Sequence, residues 1–190
     1  MEREAAPTVR PPVVLGCVAA VAAVAAVVVF GTFVLVFLNS GADDGKVALQ
    51  EPAAYGLGTL QYISDHNFYL ARLQDGSFLA LSDLDAANRA NQLQRCRVAP
   101  LGATDPALGP LVQQYATKFS PGAAGTTVLF RESCNLAVYD LTGQRLDAEG
   151  PNLDRYATAT NSQGLLTVDL TKRTCTQREG AQIFAAVACR

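Results

Sequence analysis

The sequence predicts an all-β fold, an antiparallel sandwich or barrel, placed behind one N-terminal transmembrane helix. Three observations in the 190 residues lead to this prediction. Eight short strand-like segments follow one another with turn residues between them. A long apolar stretch without charge precedes them. One segment with helical spacing of its apolar residues, within positions 102–124, interrupts the strands and predicts a short inserted helix.

The strand-like segments begin at residue 59 and are rich in β-branched and aromatic residues. Gln74-Asp75-Gly76 supplies a tight hairpin loop between the second and third segments, because glycine tolerates the positive φ that such a loop requires. The segments are residues 59–63, 68–73, 77–83, 126–130, 136–141, 155–160, 165–170 and 182–188.

The interrupting helix has its apolar residues on one face. Asp105-Pro106 supplies a cap and a first helical residue, and Gly109-Pro110 confines the regular part to the residues that follow. Two interpretations stay open: the face packs on its own domain, or it docks on a partner protein. The residues of this face are Leu108, Leu111, Val112, Tyr115, Ala116 and Phe119.

The apolar stretch covers residues 13–38 and carries no charged residue. About 20 apolar residues, rising roughly 1.5 Å each, cross a hydrocarbon core, so we expect a transmembrane anchor. A cleaved signal peptide is the alternative, but its apolar run is usually about 7–15 residues. The triplet before Cys17 resembles a lipoprotein cleavage box, yet the apolar run lies on the wrong side of it.

The charges beside this stretch predict its orientation. Arg3 and Arg10 precede it, whereas "NSGADDGK" follows it with two acids and one lysine. By the positive-inside rule residues 1–12 are cytoplasmic, and the domain at 58–190 lies outside the membrane on a linker at 39–57. The predicted location is therefore a cell membrane with a single span, and one expected partner is the lipid bilayer.

Four cysteines lie in the predicted extracytoplasmic part: Cys96, Cys134, Cys175 and Cys189. An even set in an exported domain predicts disulfides, and four cysteines allow three connectivities. Cys175 and Cys189 are close in sequence, and we expect a disulfide to close that short C-terminal loop. Cys17 lies inside the predicted anchor.

The residues exclude several function classes. A net charge of −2 argues against a nucleic-acid partner. The one histidine, His66, is interpreted as a polar residue at a hairpin edge, and no Ser-His-Asp, phosphate-loop or zinc pattern is found. Asn91, Glu132 and Asn135 offer oxygen ligands for a cation, but without any spacing rule. We therefore predict no enzyme activity and no cofactor.

Several segments, in order, resemble the Rieske iron–sulfur domain family. They are "FYLARLQDGSFLALSDLD", then "CRV" at 96–98, then "CNLAVYDLTGQRL" and "GPNLDRY". In that family the first loop carries C-x-H-x-G-C and the second C-x-C-H-G-S-x-Y-D. The resemblance covers residues 58–170 and implies a Rieske-like sandwich or barrel.

Position by position, the resemblance implies that the cluster ligands have been lost. The ligand Cys and His of the first loop correspond to Asn91 and Leu93, and those of the second loop to Glu132 and Asn135. A Rieske cluster needs two thiolates and two imidazoles, and a chain with one histidine cannot supply them.

The remaining positions of the motif imply a framework that is kept. Cys96 and Cys134 take the positions that form a disulfide between the two loops in many anchored members. The family's glycine becomes Leu136 and its cluster-bonding serine becomes Ala137, while Tyr139-Asp140 remains. The resemblance therefore favours the pairs Cys96–Cys134 and Cys175–Cys189.

Rieske domains serve quinol-oxidising and related electron-transfer complexes. The resemblance thus implies a non-redox accessory subunit whose partners are integral membrane subunits of a respiratory or photosynthetic complex. A free-standing extracytoplasmic module that binds a ligand or responds to disulfide reduction is the alternative. An enzyme with one metal ion at the former cluster site is the third hypothesis.

Overall fold

The computed structural model describes residues 24–34, 45–90 and 96–189. The chain divides into two compact units, Met1–Asp44 and Gly45–Arg190. In the first unit residues 24–34 form a helix, α1, whose side chains are mostly exposed. Over the ranges described, no helix has both the length and the apolar character needed to span a membrane. The rest of the predicted anchor at 13–38 and the segment 1–12 lie outside the described residues, so both stay predictions.

The second unit is built mainly from antiparallel strands. Two short helices accompany them, α2 (Ala86–Ala90) and α3 (Leu108–Tyr115). The strands are β1 (Lys46–Ala48), β2 (Leu60–Ile63), β3 (Phe68–Arg72), β4 (Phe78–Ser82), β5 (Val98–Pro100), β6 (Leu129–Glu132), β7 (Val138–Asp140), β8 (Gly150–Pro151), β9 (Arg155–Thr160), β10 (Leu166–Glu179) and β11 (Gln182–Val187).

The strands form a large and a small sheet. The large sheet runs in the order β1-β10-β9-β4-β3-β2, and β8 and β11 also pair with β10. The small sheet runs β5-β6-β7. The 14-residue β10 changes register between Asp169 and Arg173, so its first half pairs with β1 and its second half with β8 and β11. The prediction of an all-β fold with antiparallel sheets is confirmed.

Apolar side chains fill the space within and between the sheets. Phe68, Leu70 and Val168 belong to a buried cluster on the large sheet. Tyr69 and Phe130 belong to a second cluster that joins β3 to the small sheet, with their ring centroids 5.1 Å apart. The small sheet therefore has a fixed position on the large one.

The turn between β3 and β4 has the predicted chemistry. Asp75 Oδ1 accepts hydrogen bonds from the backbone N and the Oγ of Ser77, at 2.9 and 2.6 Å. Gly76 has φ +84°, the positive value that the Asp-Gly pair predicted.

All eight predicted strand segments contain strands, but the predicted linker needs correction. β1 lies inside residues 39–57 and pairs with β10, so the folded unit begins at Gly45 and not at residue 58. β1 has only three residues, which is too short for an alternating pattern to be visible in the sequence. β5, with three residues, and β8, with two, were not predicted for the same reason.

The inserted helix α3 begins at Leu108, after the predicted first residue Pro106 and before the break predicted at Gly109-Pro110. It includes Gly109 and Pro110, because proline is tolerated in the first turn, where no intrahelical N–H bond is lost. The predicted cap is wrong: the N-cap residue is Ala107, and Asp105 Oδ1 accepts a hydrogen bond from Ala107 N at 2.8 Å in the turn before the helix. Tyr115 packs in a core cluster with Leu129, so this face lies against its own domain.

Candidate functional site at the disulfide-linked loops

The candidate site is the β6–β7 turn (residues 133–137) together with the segment that leads into β5. A disulfide joins Cys134 of the turn to Cys96 of that segment, with the two Cα atoms 5.6 Å apart. A second disulfide joins Cys175 in β10 to Cys189 after β11. Both pairs are the ones that the resemblance favoured.

Backbone contacts hold the same two segments together beside the disulfide. Ser133 N donates to Arg97 O, and Ser133 Oγ accepts from Arg97 N, each at 3.1 Å. Cys96 is buried, whereas Cys134, on the turn, is exposed.

Glu132, the last residue of β6, directly precedes the turn and is completely buried, with 0% of its surface exposed. Its carboxylate accepts hydrogen bonds from Cys134 N at 2.9 and 3.0 Å and from Asn135 N. Asn88 Nδ2 of α2 donates to Glu132 Oε1 at 3.1 Å. One buried carboxylate therefore holds both the turn and the helix beside it, and its hydrogen bonds are charge-assisted.

The helix α2 is fixed by a second buried acid. Asp85 Oδ1 accepts from Asn88 N at 2.7 Å, which satisfies one of the free N–H groups at the start of the helix. Tyr139 OH donates to Asp85 Oδ2 at 3.5 Å. Burial, followed by the charge of Asp85, raises the pKa of Tyr139 well above its usual range, so this hydroxyl stays protonated.

Ion pairs surround this cluster on both sides. Arg97 pairs with Asp83, which also accepts from Tyr62 OH at 2.9 Å, and the hydrogen bond to Asp83 raises the pKa of Arg97. Arg89 pairs with the buried Asp154. Burial raises the pKa of Asp154, although the charge of Arg89 opposes that rise.

Asp140 closes the turn that follows β7. Its Oδ1 accepts from Thr142 N at 2.8 Å, from Thr142 Oγ1 at 2.7 Å and from Gln144 N at 3.1 Å. Its Oδ2 accepts from Ser120 N at 2.8 Å. The Tyr139-Asp140 pair therefore has a structural role: it fixes the course of the chain.

The predicted ligand positions are only partly within the described residues. Glu132 lies at the end of β6, and Asn135 is exposed in the turn. Asn91 and Leu93 lie outside the described residues. His66 lies in the turn between β2 and β3, with its backbone N donating to Ile63 O at 3.3 Å.

These residues do not fit an iron–sulfur cluster. Cys96, Cys134 and Glu132 place their ligand atoms within 4.8 Å of one another. The two sulfurs, however, are bonded to each other and offer no thiolate, and the carboxylate is already hydrogen bonded. The sequence has one histidine, so two imidazole ligands cannot come from this chain.

Three residues that complete this site were not predicted from the sequence. Asn88, Asp85 and Asp83 are buried and bind the turn or its neighbours, but each is 40 or more residues away from Glu132 in sequence. The one available signal was "SDLD", in which two acids follow directly on a strand.

Comparison with known proteins does not identify a family for this chain. No family model matches the chain, and no curated protein is significantly similar to it. One similar solved structure is a Mycobacterium tuberculosis protein described as the small subunit of an NADH-dependent nitrite reductase. The two are 16% identical, the match covers 72% of this chain and 96% of that one, and the TM-score is 0.34, which supports no conclusion about this chain.

Proposed function

We propose that this chain is a membrane-anchored, non-catalytic subunit that presents a cluster-free, Rieske-like domain and binds or stabilises a respiratory or photosynthetic electron-transfer complex. In this proposal the domain transfers no electrons. Its disulfide-linked loops form a rigid surface for contact with integral membrane subunits.

The observation that carries the proposal is the buried carboxylate of Glu132. By the resemblance this position would hold a cysteine ligand, and here its side chain accepts hydrogen bonds from Cys134 N, Asn135 N and Asn88 Nδ2. The carboxylate thus supplies an internal acceptor that closes the loop without a metal. A loop preserved in this manner is suited to binding and not to redox chemistry.

The order of elements supports the Rieske-like interpretation. The hairpin β3–β4 is followed by the segment with Cys96, and the turn with Cys134 leads into Tyr139-Asp140. Gly150-Pro151 then forms β8 ahead of β9 and β10. This is the sequence of parts that the resemblance implies, although fold alone does not determine function.

The membrane part of the proposal rests on the sequence. Residues 13–38 carry no charge, and their small residues permit close approach to other helices in a bilayer. By the positive-inside rule, Arg3 and Arg10 before this stretch favour an extracytoplasmic domain.

Purification of the full chain from native membranes in a mild detergent tests the proposal. We expect integral electron-transfer subunits to be recovered with it in fixed ratio. Recovery as a lone monomer under conditions that keep the host complex intact would contradict the proposal.

Analysis of iron and acid-labile sulfide in the same preparation tests the cluster-free part. We expect neither in stoichiometric amount with this subunit, once the content of the partner subunits is subtracted. Iron and sulfide bound to the isolated chain at two atoms each would show that the ligand argument is wrong.

A second candidate function is favoured by the exposure of Cys134: a free-standing module whose binding responds to disulfide reduction. This function predicts that dithiothreitol changes the affinity for a soluble partner, while the circular dichroism spectrum of the domain remains that of the folded state. Unchanged affinity after complete reduction would leave the disulfide with a structural role only.

A further inference from the structure

Leu136 in the β6–β7 turn has an unusual backbone for a leucine. Its φ is +59°, in the left-handed region, where the Cβ of an L-residue crowds the following carbonyl oxygen. Glycine would adopt this conformation without strain. The leucine is nevertheless 51% exposed and belongs to none of the core clusters of the described residues. The turn therefore holds a large apolar side chain at the surface, at a position where it costs stability.

Next to Leu136 an open pocket of about 330 Å³ lies between α3 and the small sheet. This volume is near the lower end of the range for small-molecule pockets, roughly 300–1,000 Å³, and leaves room for one or two large side chains. Its walls are mainly apolar: Ala107, Pro110, Leu111, Tyr115, Leu136 and Val138.

One charged side chain, Arg131 of β6, lines the same pocket. Within the described part of the chain its guanidinium has no ion-pair partner. A guanidinium binds a carboxylate through two parallel hydrogen bonds, and arginine is enriched at protein interfaces. The charge that would complement this pocket is therefore a single carboxylate beside an apolar group.

We propose that this pocket is the docking surface for an integral membrane partner, which inserts a large apolar side chain and places an Asp or Glu carboxylate on Arg131. Exposed apolar surface next to a polar rim is typical of protein contact sites. The placement of Leu136 at the edge of the pocket extends that surface outward. This inference rests on the proposed function, because it names the face that would contact the complex.

Photocrosslinking in the full chain tests the surface. p-Benzoylphenylalanine replaces Leu136, and the chain is irradiated in native membranes. The matched control carries the same photoreactive residue in place of Leu57, which is 55% exposed and does not line the pocket. We expect position 136 alone to give a crosslink to an integral subunit. The crosslinked peptide should carry a large apolar residue within about three positions of an acid.

The substitution Arg131→Gln, made in the chain that carries the photoreactive residue at position 136, tests the contribution of the arginine charge apart from that of the apolar pocket. We expect it to reduce the yield at position 136 about tenfold, with Lys172→Gln, an exposed lysine of β10, leaving the yield unchanged. Equal crosslinking from positions 57 and 136, or a product with lipid or a small carboxylic acid alone, would overturn the proposal. An intact assembly in which position 136 stays unreacted would overturn the surface and leave the proposed function standing.

Leu136→Gly gives an independent readout, since it removes the side chain and relieves the backbone. We expect the melting temperature to stay the same or rise by about 2 °C, while recovery of the partner falls about tenfold. Leu57→Gly, at a residue without positive φ, should lower the melting temperature and leave the recovery unchanged. Full recovery of the partner with Leu136→Gly would refute the docking role.

Discussion

The large sheet and the β6–β7 turn are stabilised in different ways. The large sheet depends on apolar side chains such as Phe68, Leu70 and Val168, which pack together and are buried completely or nearly so. The turn depends on a buried carboxylate, a disulfide and ion pairs. Apolar packing tolerates exchange among residues of similar size, whereas a buried charge requires each of its hydrogen-bond donors. The turn is therefore the region where one substitution should have the most specific effect.

Removal of the Cys96–Cys134 disulfide is expected to have the largest effect. The double substitution Cys96→Ser and Cys134→Ser opens a loop with a sequence separation of 38 residues. The chain-entropy relation gives a loss of about 4 kcal/mol in the free energy of unfolding, against about 3 kcal/mol for the shorter Cys175–Cys189 loop. Urea unfolding followed by circular dichroism measures both, and a greater loss from the Cys175–Cys189 pair would reverse the comparison.

Glu132→Ala is expected to destabilise the domain by about 3 kcal/mol, because the N–H groups of Cys134 and Asn135 and the amide of Asn88 lose their acceptor. Glu132→Gln keeps one acceptor oxygen and the shape of the side chain, so about half that loss is expected.

Glu51→Ala is the control for these variants, since Glu51 is exposed and should change stability by less than about 0.5 kcal/mol. Urea unfolding of all three variants under one set of conditions gives the comparison. If Glu132→Ala unfolds at the same urea concentration as the Glu51 control, the carboxylate does not hold the turn.

The smallest expected effect concerns the contact between the two sheets. Tyr69 of β3 donates its hydroxyl to Val98 O of β5 at 3.1 Å. Burial, with the nearby Tyr62 and Asp83, raises the pKa of Tyr69 to about 12. Below pH 10 the hydroxyl is protonated in both the folded and the unfolded state, so its contribution to stability is complete. Between pH 10 and 12 the unfolded state loses the proton first, and stability falls as pH rises.

Tyr69→Phe should therefore show a shallower loss of stability than the parent chain between pH 10 and 12, measured by urea unfolding. Absorbance of tyrosinate at high pH gives a second readout, because one late-titrating group should disappear in the variant. Identical slopes for the two proteins would mean that this hydroxyl is not held at the interface between the sheets.

The same contrast between regions explains what could be predicted from sequence. The strands of the large sheet are local patterns: β3 and β4 are short runs rich in apolar and aromatic residues on either side of Asp75-Gly76, so their pairing was visible in the residues alone. Strands of two or three residues, such as β8 and β1, show no period, and their existence depends on their partner β10.

The network around Glu132 is of the opposite kind. The carboxylate is bonded to Asn88, 44 residues earlier in the chain, and no spacing rule connects the two. The resemblance marked position 132 as a lost ligand and gave the pairing of Cys96 with Cys134. It did not indicate that the new side chain would bind the backbone of its own turn, because that contact arises only when the loop is folded.

The strand β1 has a mechanical consequence. Its residues Lys46, Val47 and Ala48 pair with β10, and on either side Leu170 N donates to Gly45 O and Leu49 N to Leu166 O, both at 2.7 Å. Tension applied through the preceding segment would first load these hydrogen bonds. These hydrogen bonds connect β1 to β10, the longest of the described strands, which also pairs with β9 and β11. A force applied on the N-terminal side should therefore separate β1 from β10 before the β6–β7 turn is loaded.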